Sequence, residues 1–263
     1  MLLETSELVA YYAGPLGHMT RRFISARLEA IAQDLSSIEG GTVVGHGFAT
    51  PFLDRFSAAQ HMAAVMPESQ GAERWPRGAP SRVVLAENNR IPLADESVDV
   101  LLAVHSLESA LDPRTQLREF WRVLKGEGHL IVVVPNRRGV WARFDTTPFG
   151  SGQPYSAGQL ERLLRSVFFS PVAMDAALFA PPATSSHLLR VAPVVEKIGR
   201  TGLPLFAGVV IATARKELEA PLDGGLGATV AAPERVLEEA LPSPAMPYTT
   251  DDEADRTPPT SGT

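Results

Sequence analysis

The chain has 263 residues, 44% of them hydrophobic, enough for one sizeable core with or without a tail. A net charge of −6 speaks against a general nucleic-acid binder, which needs clustered Lys and Arg to neutralise phosphates. Without cysteine, disulfides, thiolate-ligated zinc and thiolate nucleophiles are excluded, and no metal site is expected.

The N-terminal stretch MLLETSELVAYYAG has no basic segment leading into an apolar core, so no secretory signal is expected. The runs HLIVVVP and LPLFAGVVIATA fall short of the roughly 20 residues a bilayer span takes, and a cytoplasmic location follows as the expectation. Residues 18–35 predict an amphipathic helix: Phe23, Ile24, Leu28, Ile31 and Leu35 recur at helical spacing among charged residues. TVVG predicts a short strand. TPFLDRFSA predicts a helix capped by Thr50 with Pro51 at its first position. HMAAVMP, SRVVLAE and the almost wholly apolar SVDVLLAVHSL predict three more strands.

DPRTQLREFWRVLK predicts a helix capped by Asp112, and GEGHLIVVVP a fifth strand. SAGQLERLLRSVF begins with a capping box, Ser156 with Gln159 three residues on. SPVAMDAALFAP and FAGVVIATARK predict the last two strands, with weaker helical spacing in SHLLRVAPVVEKIGR between them. From residue 218 the sequence turns rich in Pro, Ala, Thr and acid, so 1–217 is expected to be the folded domain and 218–263 a disordered tail. Alternating strands and helices imply an α/β fold, a Rossmann-like seven-stranded, mostly parallel sheet. Ligands of such sheets bind beyond the carboxyl ends of the strands, which directs attention to residues 45–49, 66–68, 87–89 and 105–108.

The stretch VVGHGFATPFL carries the first chemical signal. Gly45 and Gly47 remove side chains where backbone bends tightly or approaches a ligand, and Ala49 keeps a third position small. By itself this pattern fits a tight strand-to-helix turn equally well. Further along, PNRRGVWARFDTTPFGSGQPYS sets Arg137, Arg138 and Arg143 among Trp141, Phe144, Phe149 and Tyr155. Arg forks take carboxylate or phosphate and aromatic faces hold flat apolar bodies, which suits an anionic or amphipathic acceptor; a basic loop packed on its own aromatics is the alternative. Arg74, Trp75 and Arg77 are expected to line the same mouth.

The order of these segments resembles the class I S-adenosylmethionine-dependent methyltransferases, in their type 11 group. The likeness spans roughly residues 8–215 and rests on Glu87 ending the third strand, Ile91-Pro92, the run from Asp95 to Asp99, the fourth strand, Leu117 to Gly128, and the fifth strand. YYAGPLGH resembles the family's N-terminal element that closes over the cofactor. The resemblance implies the methyltransferase fold, with the last strand antiparallel, and S-adenosylmethionine as cofactor, contacted by Gly45, His46, Gly47, Ala49, Met66, Glu87, Asn88 and His105. His46 is read as a partly exposed turn residue, and Phe48 as packing beneath the turn. Glu87 and Asn88 fall where the family reads the adenine edge, and His105 falls where donor and acceptor would meet, as a candidate base or a structural histidine. Arg137, Arg138, Trp141, Arg143 and Tyr155 become the acceptor-binding set.

Two positions depart from the family's pattern. Val43 stands where an acid usually precedes the turn, and Met66 where an acid takes the ribose hydroxyls; Glu68 lies two residues further on. A buried hydroxyl left without an acceptor costs on the order of 1–3 kcal/mol. The reading that follows is methyl transfer to a small acceptor. Its alternative is an inactive member of the fold that binds protein partners. A nicotinamide dehydrogenase is set aside, since the third glycine and the acid after the second strand are missing.

Overall fold

A computed structural model describes residues 3–35, 38–183, 185–202 and 206–217; the expected tail, 218–263, lies outside the described residues. The chain opens with helix α1, Thr5–Ala13, and helix α2, Pro15–Asp34, which meet at Gly14 with Pro15 at the first helical position. A Cβ on Gly17 would lie 2.0 Å from the Tyr11 carbonyl, so only glycine lets the second helix fold back on the first.

The strands are β1 Thr42–Gly47, β2 His61–Pro67, β3 Val83–Ala86, β4 Val98–Val104, β5 Leu124–Pro135, β6 Phe169–Ala177 and β7 Val209–Lys216. They form one sheet in the order β3-β2-β1-β4-β5-β7-β6. β1 to β5 run parallel, as the alternation of elements predicts, and β7 is antiparallel to both of its neighbours, as the resemblance implies. Helix α3, Pro113–Val123, begins at Asp112, whose carboxylate accepts from the Arg114 and Thr115 N–H groups. Helix α4, Ala157–Arg165, begins with the expected Ser156–Gln159 capping box. Helix α5, Ser186–Gly202, carries Pro193 within it.

Alternation along each strand divides the interior in two. Val43, Ala64, Met66, Leu102, Val104, Ile131 and Ile211 face a core shared with α1 and α2 and touched by Ala192 of α5. Val44, Val65, Leu101, Ala103, Val132 and Ala212 face the other core, built by Leu117, Phe120 and Val123 of α3 and Leu160 and Leu164 of α4.

One expected helix forms differently. TPFLDRFSA gives a turn and a four-residue 3-10 helix, Leu53–Phe56, and Thr50 does not cap it. The Thr50 hydroxyl instead donates to Glu73 Oε1 at 2.5 Å. Phe52, Leu53 and Phe56 are fully buried in the α1/α2-side core, so burial of these three side chains shapes the segment.

α5 is fixed by one buried carboxylate. Glu196, 6% exposed, accepts from the N–H groups of Leu178 at 2.9 Å and Phe179 at 2.7 Å. Glu196→Ala leaves two donors unsatisfied and should cost about 2–4 kcal/mol in urea unfolding at constant m-value. Glu196→Gln, which retains one acceptor, should recover part of that loss.

Candidate functional site

The turn after β1 is tight because β1 and β4 converge there. Gly47 has φ +73°, and a Cβ on it would sit 2.4 Å from the Val104 carbonyl and 2.8 Å from Ser106 Cβ. Phe48 N–H donates to that same carbonyl at 2.8 Å. A Cβ on Gly45 would meet Ala49 Cβ at 2.8 Å and the Leu53 methyls at 3.2 and 3.3 Å. Gly45 is therefore required by the protein's own packing, with Ala49 and Leu53 where a ligand-cradling glycine would leave open space.

His46 points to the opposite face of the sheet, which corrects its reading as a partly exposed turn residue: alternation turns it away from Gly45 and Gly47. It is fully buried against Phe120, ring centroids 4.8 Å apart, with Nδ1 2.7 Å from Ser106 Oγ. Burial lowers its pKa to about 3, so the ring is neutral.

At the end of β4 the backbone of His105 takes φ +49°, a conformation sparsely populated outside glycine. The residue is 4% exposed and meets three groups, two at the ring and one at the backbone. Nε2 lies 2.8 Å from Tyr12 Oη, Nδ1 lies 3.2 Å from Glu108 Oε1, and the backbone carbonyl accepts from Gln70 Nε2 at 3.1 Å. An ionised Glu108 can only accept, so it fixes the proton on Nδ1 and leaves Nε2 to accept from the Tyr12 hydroxyl. Glu108 also accepts from Ser106 N–H at 3.1 Å. Burial, followed by the nearby Tyr11 and Glu108, holds the Tyr12 phenol well above its ordinary pKa and protonated. The Tyr12 ring stacks on Phe48, centroids 5.6 Å apart, and meets Phe52 edge-on; Phe149 lies 5.1 Å from the His105 ring. α1 thus closes over the turn with an aromatic cluster, tied down further by Thr5, which donates from N–H to the Gln70 carbonyl and from Oγ1 to that of Gly71.

Beside this cluster opens a cavity of about 500 Å³. Val9, Tyr12, His18 and Arg21 wall it from the helices, Phe48, Thr50 and Asp54 from the β1–β2 connection, and Glu73, Arg74, Trp75 and Arg77 from the β2–β3 connection. Arg74, Trp75 and Arg77 therefore belong to the turn and not to the Arg-aromatic loop with which the sequence grouped them. Met66 is fully buried, and its sulfur accepts from Glu73 N–H at 3.4 Å, so Met66 positions Glu73 where the chain leaves β2.

The other expected residues lie apart from this cavity. Glu87 and Arg90 form a bridge in a tight turn. Glu87 lines a separate groove with Glu68, Asn89, Arg90, Glu119 and Arg122. Asn88 is half-buried, its Oδ1 without a hydrogen-bond partner among the described residues. In the loop after β5, Trp141 is 1% exposed, donates to the Ala180 carbonyl at 2.8 Å and packs in the α1/α2-side core. Tyr155 packs in the opposite core, where burial raises its pKa to about 12. Arg137, Arg138 and Arg143 are exposed, and Arg137 Nε donates to the Pro154 carbonyl at 3.2 Å. The loop's arginines thus face solvent, while Trp141 and Tyr155 are buried in the two cores. Sequence reasoning pointed to the stretches YYAGPLGH and 105–108 without giving Tyr12 or Glu108 a role, and it missed Gln70 and Glu73. Their types are unremarkable in the sequence, and only the approach of α1 to the ends of β2 and β4 joins them.

Residues 42–132 match the family described as "Methyltransferase domain". A Mycobacterium tuberculosis protein described as "Probable S-adenosylmethionine-dependent methyltransferase", found in two strains, is 36% identical over 110 residues. That match covers 41% of this chain and 39% of the relative, so the chain spans well under half of the curated protein's length. Among solved structures, the protein in complex with the Haloferax volcanii Trm112 methyltransferase activator aligns with TM-score 0.57 and 16% identity, over 79% of this chain and 96% of its own. A SAM-dependent methyltransferase from Archaeoglobus fulgidus aligns with TM-score 0.52 and 20% identity, over 74% and 94%. No group of three or more metal-binding side chains occurs among the described residues, and none of their helices is long and apolar enough to cross a membrane.

His46 gives this region an acid sensitivity. An unfolded imidazole takes its proton near pH 6.5, the folded one only near 3, so stability is full above 6.5 and declines as pH falls toward 3. Between pH 7 and pH 5 the loss should be about 2 kcal/mol. Urea midpoints across that range should show it, and His46→Gln should flatten the slope.

Proposed function

We propose that this chain is a class I S-adenosylmethionine-dependent methyltransferase that transfers a methyl group from that cofactor to a small acceptor, a reading supported by the family match at residues 42–132 and by the fold around it. The observation that carries the proposal is the cavity at the carboxyl ends of β1 and β2. Its volume suits a ligand of that size, and its position obeys the rule for open parallel sheets.

The chemistry of its walls also fits. Glu73, steadied by the Thr50 hydroxyl, is the carboxylate available to ribose hydroxyls, in place of the acid missing at Met66. Trp75 and Phe48 offer apolar ring surface to a purine. Arg21, Arg74 and Arg77 would hold the amino-acid carboxylate. Once bound, the cofactor supplies a methyl group on a sulfonium, from which a neutral thioether leaves without need of an acid. Alignment then supplies much of the rate.

His105 is the candidate base. Glu108 orients it through Nδ1, and Nε2 is the atom that would receive a proton from an acceptor O–H or N–H. In the closed arrangement Tyr12 occupies that nitrogen, so acceptor access requires α1 to give it up. Arg137, Arg138 and Arg143 remain the groups proposed to meet an anionic or amphipathic acceptor at the surface, with Trp141 and Tyr155 shaping the loop that carries them.

A second reading, a protein of this fold that binds partners without catalysis, is favoured by one observation: Ala49 and Leu53 fill the space over Gly45. Calorimetry with S-adenosylmethionine and S-adenosylhomocysteine separates the two. Micromolar-range binding supports the enzyme; a folded protein that binds neither supports the second reading. On the enzyme reading Glu73→Ala weakens both ligands by roughly ten- to a hundred-fold, as loss of the acceptor to the bound ribose hydroxyls should. Glu87→Ala, in the separate groove, leaves both affinities unchanged; a loss there instead would move the cofactor to the position the sequence implied.

A further inference from the structure

α5 turns an apolar face outward. Leu188, Val191, Val194 and Ile198 are 48, 49, 60 and 64% exposed. At helical spacing the four side chains fall within an arc of about 120°. Arg190, Lys197 and Arg200, all exposed, lie beyond one long edge of that arc, and Ala192, Glu196 and Gly199 lie beyond the other, against the body of the protein. Glu196 is the helix's only acid, and it is turned inward on the N–H groups of Leu178 and Phe179. The outward charge of α5 is therefore entirely positive, on a chain whose net charge is −6.

An exposed helix in a globular protein normally shows water its polar side. A contiguous apolar stripe with a one-sided basic border is the pattern of a helix lying in a membrane interface, where the stripe enters the acyl boundary and the cations meet headgroups. We propose that α5 is a membrane-docking face that holds the protein on an anionic lipid bilayer. Charge complementarity selects this occupant over a second copy. Antiparallel two-fold pairing of α5 would set Arg190, Lys197 and Arg200 beside an identical set, and in either orientation no acid on the helix's outer side would answer them. None of the three makes an ion pair among the described residues. Docking of this kind is peripheral, and it stands whether or not the cavity binds the cofactor.

The test is co-sedimentation of the full chain with vesicles of phosphatidylcholine alone and of phosphatidylcholine with an equal part of phosphatidylglycerol. The chain should bind the anionic vesicles, bind the neutral ones weakly, and be released by high salt. Val191→Glu with Val194→Glu should reduce binding at least about tenfold, and Lys197→Glu by about five-fold or more. Both variants alter exposed residues and should keep the parent's circular dichroism and Tm. Absence of vesicle binding, equal binding by the double variant, or equal binding to neutral vesicles overturns the proposal. So does a solution dimer that the double variant converts to monomer, which would assign the face to a second copy.

Discussion

The close approach of β1 to β4 at Gly47 is the constraint on which the site depends. The turn can pass the Val104 carbonyl only because residue 47 has no Cβ, and Phe48 then donates to that same carbonyl. Beside these locked strand ends, the chain leaving β4 takes the left-handed conformation at His105. That geometry aims the imidazole at Tyr12 and Glu108, and the aromatic packing of Tyr12 on Phe48 and Phe52 secures α1 above the turn.

The same strand ends serve two cores by alternation. Gly45 and Gly47 belong to the face that α1 and α2 cover, and His46 belongs to the face of α3. Ser106 joins the two sides. Its N–H donates to Glu108 in the His105 group, while its hydroxyl meets His46 Nδ1 and accepts from Gln116 at 2.8 Å. Protonation of His46 therefore bears on the segment that carries His105 and Glu108. Polar groups buried this deeply carry weight because each lost partner leaves another unsatisfied.

The departures from the family's pattern acquire physical meaning here. Val43 sits in the α1/α2-side core, where an acid would be buried among Leu, Phe and Met. Met66 is likewise buried, and its sulfur helps position Glu73. A carboxylate beside the turn is thus present, supplied from the β2–β3 connection and not from the end of β2.

Much was legible in the sequence. Runs of Val, Ile, Leu and Ala located seven strands to within about four residues at each end, Asp112 and Ser156 marked two helix starts, and the alternation of elements implied the mostly parallel sheet, while the antiparallel last strand came from the family resemblance. These features are local: each depends on the spacing of side chains within about a dozen residues. The tertiary structure alone decided the rest. It turned Thr50 from a helix cap into a partner of Glu73, placed Trp141 and Tyr155 in opposite cores, and separated Glu87 from the turn. It also joined Tyr12 to His105 across 93 positions of sequence. Periodicity tells which side of an element is buried, but not which distant side chain will meet it there, because that depends on how elements far apart in the chain pack together.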